Sequence, residues 1–440
     1  MKRFLFAVCV CFSYGSSHAV IDSSESIDTF IVSASPFLKA KKYETEYAYH
    51  YAGRQLMGYF PQISTEFNWQ ARNCGSSVPH SSYNVNIYQP LIQGFGPLQL
   101  YSKAMYSYRS SKDLYKSDED DVIQDSRLDS IGYTLQYANI DYMLRLKEYL
   151  DLKAKKSNTG FTSGLVTFIE RDTAVSTAQE QDVRLLVPRR DQESYYQRLC
   201  ALAGQQVPYV PFYAWDRRAP ILDYMVKYET VLSLRERTLK ESPMLKSYDE
   251  RIAQAAYTAR AYVWSYLPTL SSFFTVAEHF GSSSQHAAPW QGGLQLSWNF
   301  DGWINIEESH LAEIDHCRLM CEKLAVLDQY TSEIALNHKN LKNALELKKA
   351  KNEMINAARE QYRKQKAFLD VGLAIEIDVE EARSKLEQLV TEKADLSSQA
   401  AQAYEKINNI VGDVLETKNL ATLVPAIEAL SKAKEDGQVL

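Results

Sequence analysis

Apolar and polar residues alternate along this chain with two different periods. Ile63, Thr65, Phe67, Trp69 and Ala71 face one way while Gln62, Ser64, Glu66, Asn68 and Gln70 face the other, which is the period of a β-strand. A second run, Tyr83 to about Leu91, follows a Gly/Ser/Pro-rich loop from Asn73 to Ser82, so the two predict a hairpin. The pattern recurs far downstream. Leu270, Ser272, Phe274 and Val276 alternate with Ser271, Phe273 and Thr275; the loop Gly281 to Pro289 then leads to Leu294, Leu296, Trp298 and Phe300, set against Gln295, Ser297 and Asn299.

After each hairpin the period lengthens to that of a helix and almost nothing interrupts it. Leu98 to about Lys156 and Trp303 to about Phe368 predict helices roughly 90–100 Å long at 1.5 Å per residue. The segments near Leu165 to Ala203 and Leu373 to Val411 return along them. In the last, Val379, Ala382, Leu386, Leu389, Lys393, Leu396, Ala400, Ala403, Ile407 and Ile410 recur three and four apart, a heptad seam with one polar insertion. Pro188 is expected to bend or break its first-half counterpart.

These correspondences are one internal repeat. Gly164-Leu165 and Gly372-Leu373 stand 208 residues apart, each followed by an alanine (Ala174, Ala382) and, thirty residues on, a glycine (Gly204, Gly412). Upstream, Ser35-Pro36-Phe37-Leu38-Lys39 matches Ser242-Pro243-Met244-Leu245-Lys246 at 207, as Pro61 matches Pro268. A period this long is a whole set of elements duplicated, not a solenoid unit. The chain divides into a leader (1–19), a first copy (20–204; hairpin 60–92, long helices 97–203), a connector (205–241), a second copy (242–412; hairpin 267–301, long helices 303–411) and a tail (413–440). Residues 20–58 read as a polar lead and a helix starting at Ser35-Pro36, whose Tyr43, Tyr47 and Tyr51 form a stripe expected to pack. The Pro- and aromatic-rich connector reads as packed, and the tail holds one candidate helix, Thr422 to Ala433.

Charge and cysteines narrow the class. Lys2 and Arg3, the apolar run Phe4 to Phe12 and Ser17-His18-Ala19 read as a secretory signal, too short to span a membrane. Losing it would take the net charge from −6 to −8, and with no basic run the chain is expected to bind no nucleic acid. Cys74, Cys200, Cys317 and Cys321 would remain; Cys317 and Cys321 share a helix face and are expected to be buried, not metal ligands. Their disulfide state cannot be read from spacing. If the protein enters a membrane it does so by strands of about ten residues, and four cannot close a barrel, which takes about eight. An open edge in lipid leaves backbone groups unpaired at several kcal/mol each, so the strands demand an oligomer.

In this order, twice over, the Ser-Pro-x-Leu-Lys openings, the Pro-led hairpins, Gln89-Pro90-Leu91-Ile92-Gln93-Gly94, Phe300-Asp301-Gly302 and the paired Gly-Leu…Ala…Gly blocks resemble the TolC-like outer membrane efflux proteins over roughly residues 30 to 412. The resemblance implies an α+β membrane channel: a homotrimer whose strands form a twelve-stranded barrel in outer-membrane lipid and whose helices form a coiled-coil barrel across the periplasm. Its partners would be an inner-membrane transporter and a periplasmic adaptor, in efflux or type I secretion. In that family acidic residues after a Val-Gly turn narrow the periplasmic mouth. Here Val371-Gly372 precedes Asp378 and Glu381, which stand where those acids would; the first copy offers Glu170 and, in departure from the pattern, Thr173. Three residues apart on a helix, Asp378 and Glu381 would form a ring of six carboxylates in a trimer, while an acidic helix start suited to the dipole explains the same residues.

No enzyme constellation emerges. His279, His286, His310, His316 and His338 are scattered, and there is no phosphate-binding glycine loop or nucleophile elbow, so neither catalysis nor a cofactor is expected. The rival class is a soluble periplasmic coiled-coil adaptor with a small sheet, which has no need of a duplicated hairpin.

Overall fold

The computed structural model describes residues 24–69, 81–92, 96–208, 211–264, 266–280, 290–298 and 304–412. The signal-like segment, both hairpin loops, Cys74, His286, Phe300 with the Asp-Gly pair after it, and the tail with its candidate helix all lie outside them. The described elements are α1 (Ser24–Ala34), α2 (Pro36–Leu56), β1 (Gln62–Trp69), β2 (Ser81–Ile92), α3 (Pro97–Thr162), α4 (Phe168–Ala203), α5 (Trp215–Tyr228), α6 (Val231–Glu241), α7 (Pro243–Trp264), β3 (Thr269–Phe280), β4 (Trp290–Ser297), α8 (Ile304–Asp370) and α9 (Glu376–Val411). From α1 to α4 and from α6 to α9 the order of elements is the same. The paired helices have 11 and 11, 21 and 22, 66 and 67, and 36 and 36 residues.

The two long helices, α3 and α8, each run about 100 Å. Around the wall they build, the order nearer the sheet is α2, α3, α7, α8, and toward the far tips it is α4, α3, α9, α8. Helix α8 therefore borders one side of the chain, and α2 and α4 border the other. Each half has its own core. Ile27, Ile31, Leu38, Val122, Leu199, Ala203 and Val207 pack together in the first; Ile221, Leu222 and Leu234 pack on Ile334, Leu341, Tyr404 and Ile407 in the second. The heptad seam of α9 is buried at Val379, Ala382, Leu389, Ala400, Ala403, Ile407 and Ile410.

Four expectations change. Helix α4 runs unbroken through Pro188, whose side chain is buried, so packing against α3 outweighs the one backbone hydrogen bond that proline forfeits. The residues read as connector hold two helices, α5 and α6, and the polar lead holds α1, buried through Ile27 and Ile31. Tyr43 and Tyr47 are 69 and 70 % exposed and Tyr47 stacks on Tyr51 at 6.2 Å, so among the described residues the tyrosine stripe lies on the surface and not in a core. Cys317 and Cys321 are exposed, because α8 turns that face away from α7 and α9.

All four strands are antiparallel in one sheet, β1-β2-β3-β4. The central pair joins the two halves, with Val85 opposite Val276 and Ile87 opposite Phe274. Across the register Ile63, Thr65, Phe67, Tyr83, Val85, Ile87, Leu270, Phe274, Val276, Trp290, Leu294 and Leu296 share one face. Gln62, Ser64, Glu66, Asn84, Asn86, Ser271, Thr275, Gln291, Gln295 and Ser297 share the other, with Tyr88 and Phe273 among them. The rings of Phe274 and Trp290 stack at 6.3 Å on the apolar face. Gly292 and Gly293 lie opposite Phe274 and Phe273, whose rings fill the space a side chain would take.

Candidate functional site: sheet edges, helix tips and a buried ion network

Three places in this architecture carry chemistry. The first is the sheet, where β1 and β4 each leave one side of their backbone without a partner strand among the described residues. Among the described residues no α-helix is stacked on the sheet, so none of them covers its apolar face. A sheet with one apolar face, one polar face and two open edges fits lipid on the first and water on the second once its edges are paired.

The second place is the pair of turns at the far ends of the long helices. Each is made by a glycine in the left-handed region, Gly164 (φ 72°) and Gly372 (φ 77°), which no side chain occupies without strain. The residues after them, Leu165 and Leu373, are 84 and 76 % exposed. Thr167 caps α4: its Oγ1 accepts from the Glu170 amide at 3.3 Å, and the Glu170 carboxylate accepts from the Thr167 amide at 3.0 Å. Asp378 holds the same third position of α9 and accepts from the Ile375 amide at 3.4 Å. Asp378 is half-buried and Glu381 exposed, while Glu380 between them pairs with Arg383 at 3.5 Å.

Asp378 and Glu381 both come near Tyr149 of α3. Burial first, then the charges of Glu381 and Asp378, push its phenol above the ordinary range. The sequence-derived acids thus divide: Asp378 and Glu381 share one tip and one neighbour, while Glu170 caps the other tip. The tips differ in their contacts. Arg171 lies 4.4 Å from the Phe161 ring and 4.6 Å from the Phe168 ring, a clamp that joins α3 to α4 just above the first turn.

The third place is a buried ion network at mid-height. Arg127 of α3 donates to Asp28 of α1 at 2.9 Å and to Glu405 of α9 at 3.0 Å. Glu405 also accepts from the Tyr213 hydroxyl at 2.8 Å and from Arg218 of α5. Arg218 packs over the Tyr213 ring at 4.4 Å, and the Tyr213 amide donates to Thr134 Oγ1 at 2.9 Å. All five groups are buried. Two carboxylates stand against two guanidiniums, so the cost of burying charge is offset by opposite partners. Burial alone would raise the Glu405 carboxyl; Arg127 and Arg218 outweigh it and hold it below the usual range. Asp28, with Arg127 alone as strong partner, stays above its usual range because burial dominates.

Sequence reasoning missed this network. Its members sit 99 and 278 residues apart where Arg127 bridges α3 to α1 and to α9, so no local spacing marks them. The weak signal available was an arginine, Arg127, on the inward side of an otherwise half-apolar helix face. Among the described residues no group of histidine, cysteine and acidic side chains could hold a metal ion, and no helix is long and apolar enough to cross a membrane.

No protein-family model and no curated protein sequence matches this chain. Solved structures do. CusC, whose structures describe transmembrane channel formation, superposes with a TM-score of 0.70 at 12 % identity over 91 % of this chain and 95 % of its own. The CmeC outer membrane channel of Campylobacter jejuni gives 0.70 at 14 % identity, over 92 and 88 %. The open-state MtrE outer membrane channel of Neisseria gonorrhoeae gives 0.67 at 14 % identity, over 88 and 88 %. The chain has the fold of the TolC-like outer membrane channels. These neighbours are channel proteins and not enzymes.

Proposed function

We propose that three copies of this chain form an outer membrane exit duct for efflux or type I secretion, a passive conduit opened by an inner-membrane transporter and a periplasmic adaptor. The observation that carries the reading is the four-stranded sheet, apolar on one face and open at both edges, set on helices about 100 Å long. Pairing β4 of one copy with β1 of the next gives twelve strands, enough to close a barrel and leave no edge in lipid. The same step brings α8 of one copy against α2 and α4 of the next, which covers the tyrosine stripe of α2. The two halves descend from one duplicated unit, so six near-equivalent units surround the pore.

Asp378 and Glu381 line the periplasmic mouth as a ring of carboxylates, and Glu170 stands on the neighbouring tip. Such a ring favours cations and repels itself unless paired, and so biases the gate toward opening when its charge is unshielded. The domain division given above follows from the same reading, with residues 205–241 as a belt outside the pore.

Fractionation with native-mass measurement of the detergent extract tests the assembly. A trimer released only by detergent supports it, while a water-soluble monomer would identify the soluble adaptor class instead. Conductance of Asp378→Asn/Glu381→Gln in planar bilayers tests the ring: cation preference falls if the ring acts, and an unchanged preference removes the gate assignment while leaving the duct intact.

A further inference from the structure

Helix α2 packs on α3 as α7 packs on α8, and α3 also packs on α7, which joins the two halves near the sheet. The helix that would stand to α8 as α7 stands to α3 is an α2, and this chain's own α2 lies on α3.

The duplicated joints keep one register. Between α2 and α3, Tyr49 meets Tyr108 with ring centroids 5.2 Å apart. Adding 207 to the first number and 208 to the second, the offsets of the Ser-Pro openings and of the tip glycines, gives Ala256 and His316, which line one small cavity between α7 and α8. The same offsets therefore carry the α3 and α7 joint onto α8 and an α2. Within the chain that joint is polar. The rings of Tyr106 and Tyr257 lie 6.0 Å apart, Arg109 pairs with Glu250 at 3.9 Å, and burial raises the Asp113 carboxyl against the charge of Lys246.

On α8 the chemistry of that face is changed throughout. Lys103, Tyr106, Arg109, Asp113 and Lys116 of α3 become Leu311, Ile314, Cys317, Cys321 and Leu324. Three or four apart, these five form one stripe, and all are exposed. The α2 side changes to suit: Glu250 becomes Tyr43 and Tyr257 becomes His50. Lys246 is kept as Lys39, and in the same pose, since each Nζ donates to the carbonyl five residues earlier, Glu241 at 3.1 Å and Ala34 at 3.0 Å. Where an acid answers Arg109, a ring now answers a thiol, a contact in which soft sulfur packs well.

We infer that the Leu311 to Leu324 stripe docks on α2 of the next copy in the register that α3 keeps with α7, so that Cys317 lies against Tyr43 and Cys321 beside Lys39 of that copy. The joint inside the chain is ionic, and the joint between chains is made of thiols, aliphatic groups and tyrosine. This rests on the trimeric assembly.

The test uses full-length protein in detergent. One chain keeps Cys317 alone of Cys74, Cys200, Cys317 and Cys321, the others being replaced by serine; a differently tagged chain has all four replaced and carries Tyr43→Cys. Co-production and a short bismaleimide are expected to join the two tags. Arg54→Cys in place of Tyr43→Cys, about three turns further along α2, is expected to give no such product. A trimer by native mass in which Tyr43→Cys gives no product, or Arg54→Cys gives as much, overturns the register. Absence of a trimer in the unsubstituted chain would instead overturn the assembly itself. Charge exchange gives a second readout. Cys317→Arg is expected to lower the temperature at which the trimer dissociates, and adding Tyr43→Glu, which rebuilds the pairing of Arg109 with Glu250, to recover most of that loss. If Tyr43→Glu deepens the loss, Cys317 does not face Tyr43.

Discussion

Arg127 on α3 donates to Glu405 on α9 at 3.0 Å, across 278 residues of chain, with both side chains shielded from water. Because the same guanidinium also holds Asp28, removing it strands the buried Asp28 carboxylate and leaves Glu405 with Arg218 and Tyr213 alone. Arg127→Ala is expected to cost about 3–5 kcal/mol, the scale for breaking a buried ion pair from one side. Arg184→Ala, which deletes an exposed pair with Glu180 on one helix, should cost below about 0.5 kcal/mol. Denaturant midpoints of the two variants in detergent decide; similar losses would mean the buried network does not hold the fold.

Asp120 on the acidic stretch of α3 titrates far from its normal range. Burial first, then repulsion from Glu119 and Asp121, raise its carboxyl to about 7 against Lys116 and Arg127. A folded-state value above the unfolded one gives stability that is complete below the unfolded pKa and is lost as pH rises through about 7. Asp120→Asn keeps the neutral form at every pH. Its melting temperature should equal that of the parent near pH 4 and exceed it above about pH 7, and a difference that does not change with pH would remove Asp120 as the titrating group.

Gly372 and Gly412 share a left-handed backbone, with φ of 77° and 71°, but not their surroundings. A Cβ at Gly372 meets nothing within 4 Å, whereas one at Gly412 would lie 2.7 Å from Pro243 Cδ and 3.0 Å from the Glu241 carbonyl oxygen. Gly372→Ala should therefore cost about 1 kcal/mol, the conformational term alone. Gly412→Ala should cost more, because the joint between α6 and α7 has to shift. Thermal unfolding of both variants checks the order, and equal losses would mean that the joint yields freely.

At the first tip Arg171 lies against the rings of both Phe161 and Phe168. Arg171→Ala is expected to speed amide exchange over residues 163–167 by several-fold, with the second tip unchanged. Arg171→Lys should recover little, since an ammonium cannot stack on two rings as a guanidinium plane does. Exchange measured by mass spectrometry on both tips separates the cases.

What the sequence revealed tracks how local the determining pattern is. The helices of 66 and 67 residues and the four strands follow from unbroken periodicity, and the tip turns from two glycines. Helices α1, α5 and α6 escaped because 11 to 14 residues leave barely three turns of signal, and α5 carries Pro220 inside it. Pro188 misled for the opposite reason: a local rule gave way to packing with α3. The two cysteines of α8 were expected inside because buried thiols are common, yet the face they occupy borders the edge of the chain. At the candidate gate, sequence spacing placed Asp378 and Glu381 together. It did not show that Asp378 also caps its helix or that Tyr149 waits opposite.

The near-equal halves are unlike at one level of the wall. Where α1 has Asp28, α6 has Arg235; where α9 has Glu405, α4 has Gln197; and opposite Arg127, α8 has Ile334 or Ala335. A ring of six identical short chains would have to bury these charges at every seam or at none. Joining two units in one polypeptide lifts that restriction, so an ionic lock can sit where the first half meets the second without having to be built twice.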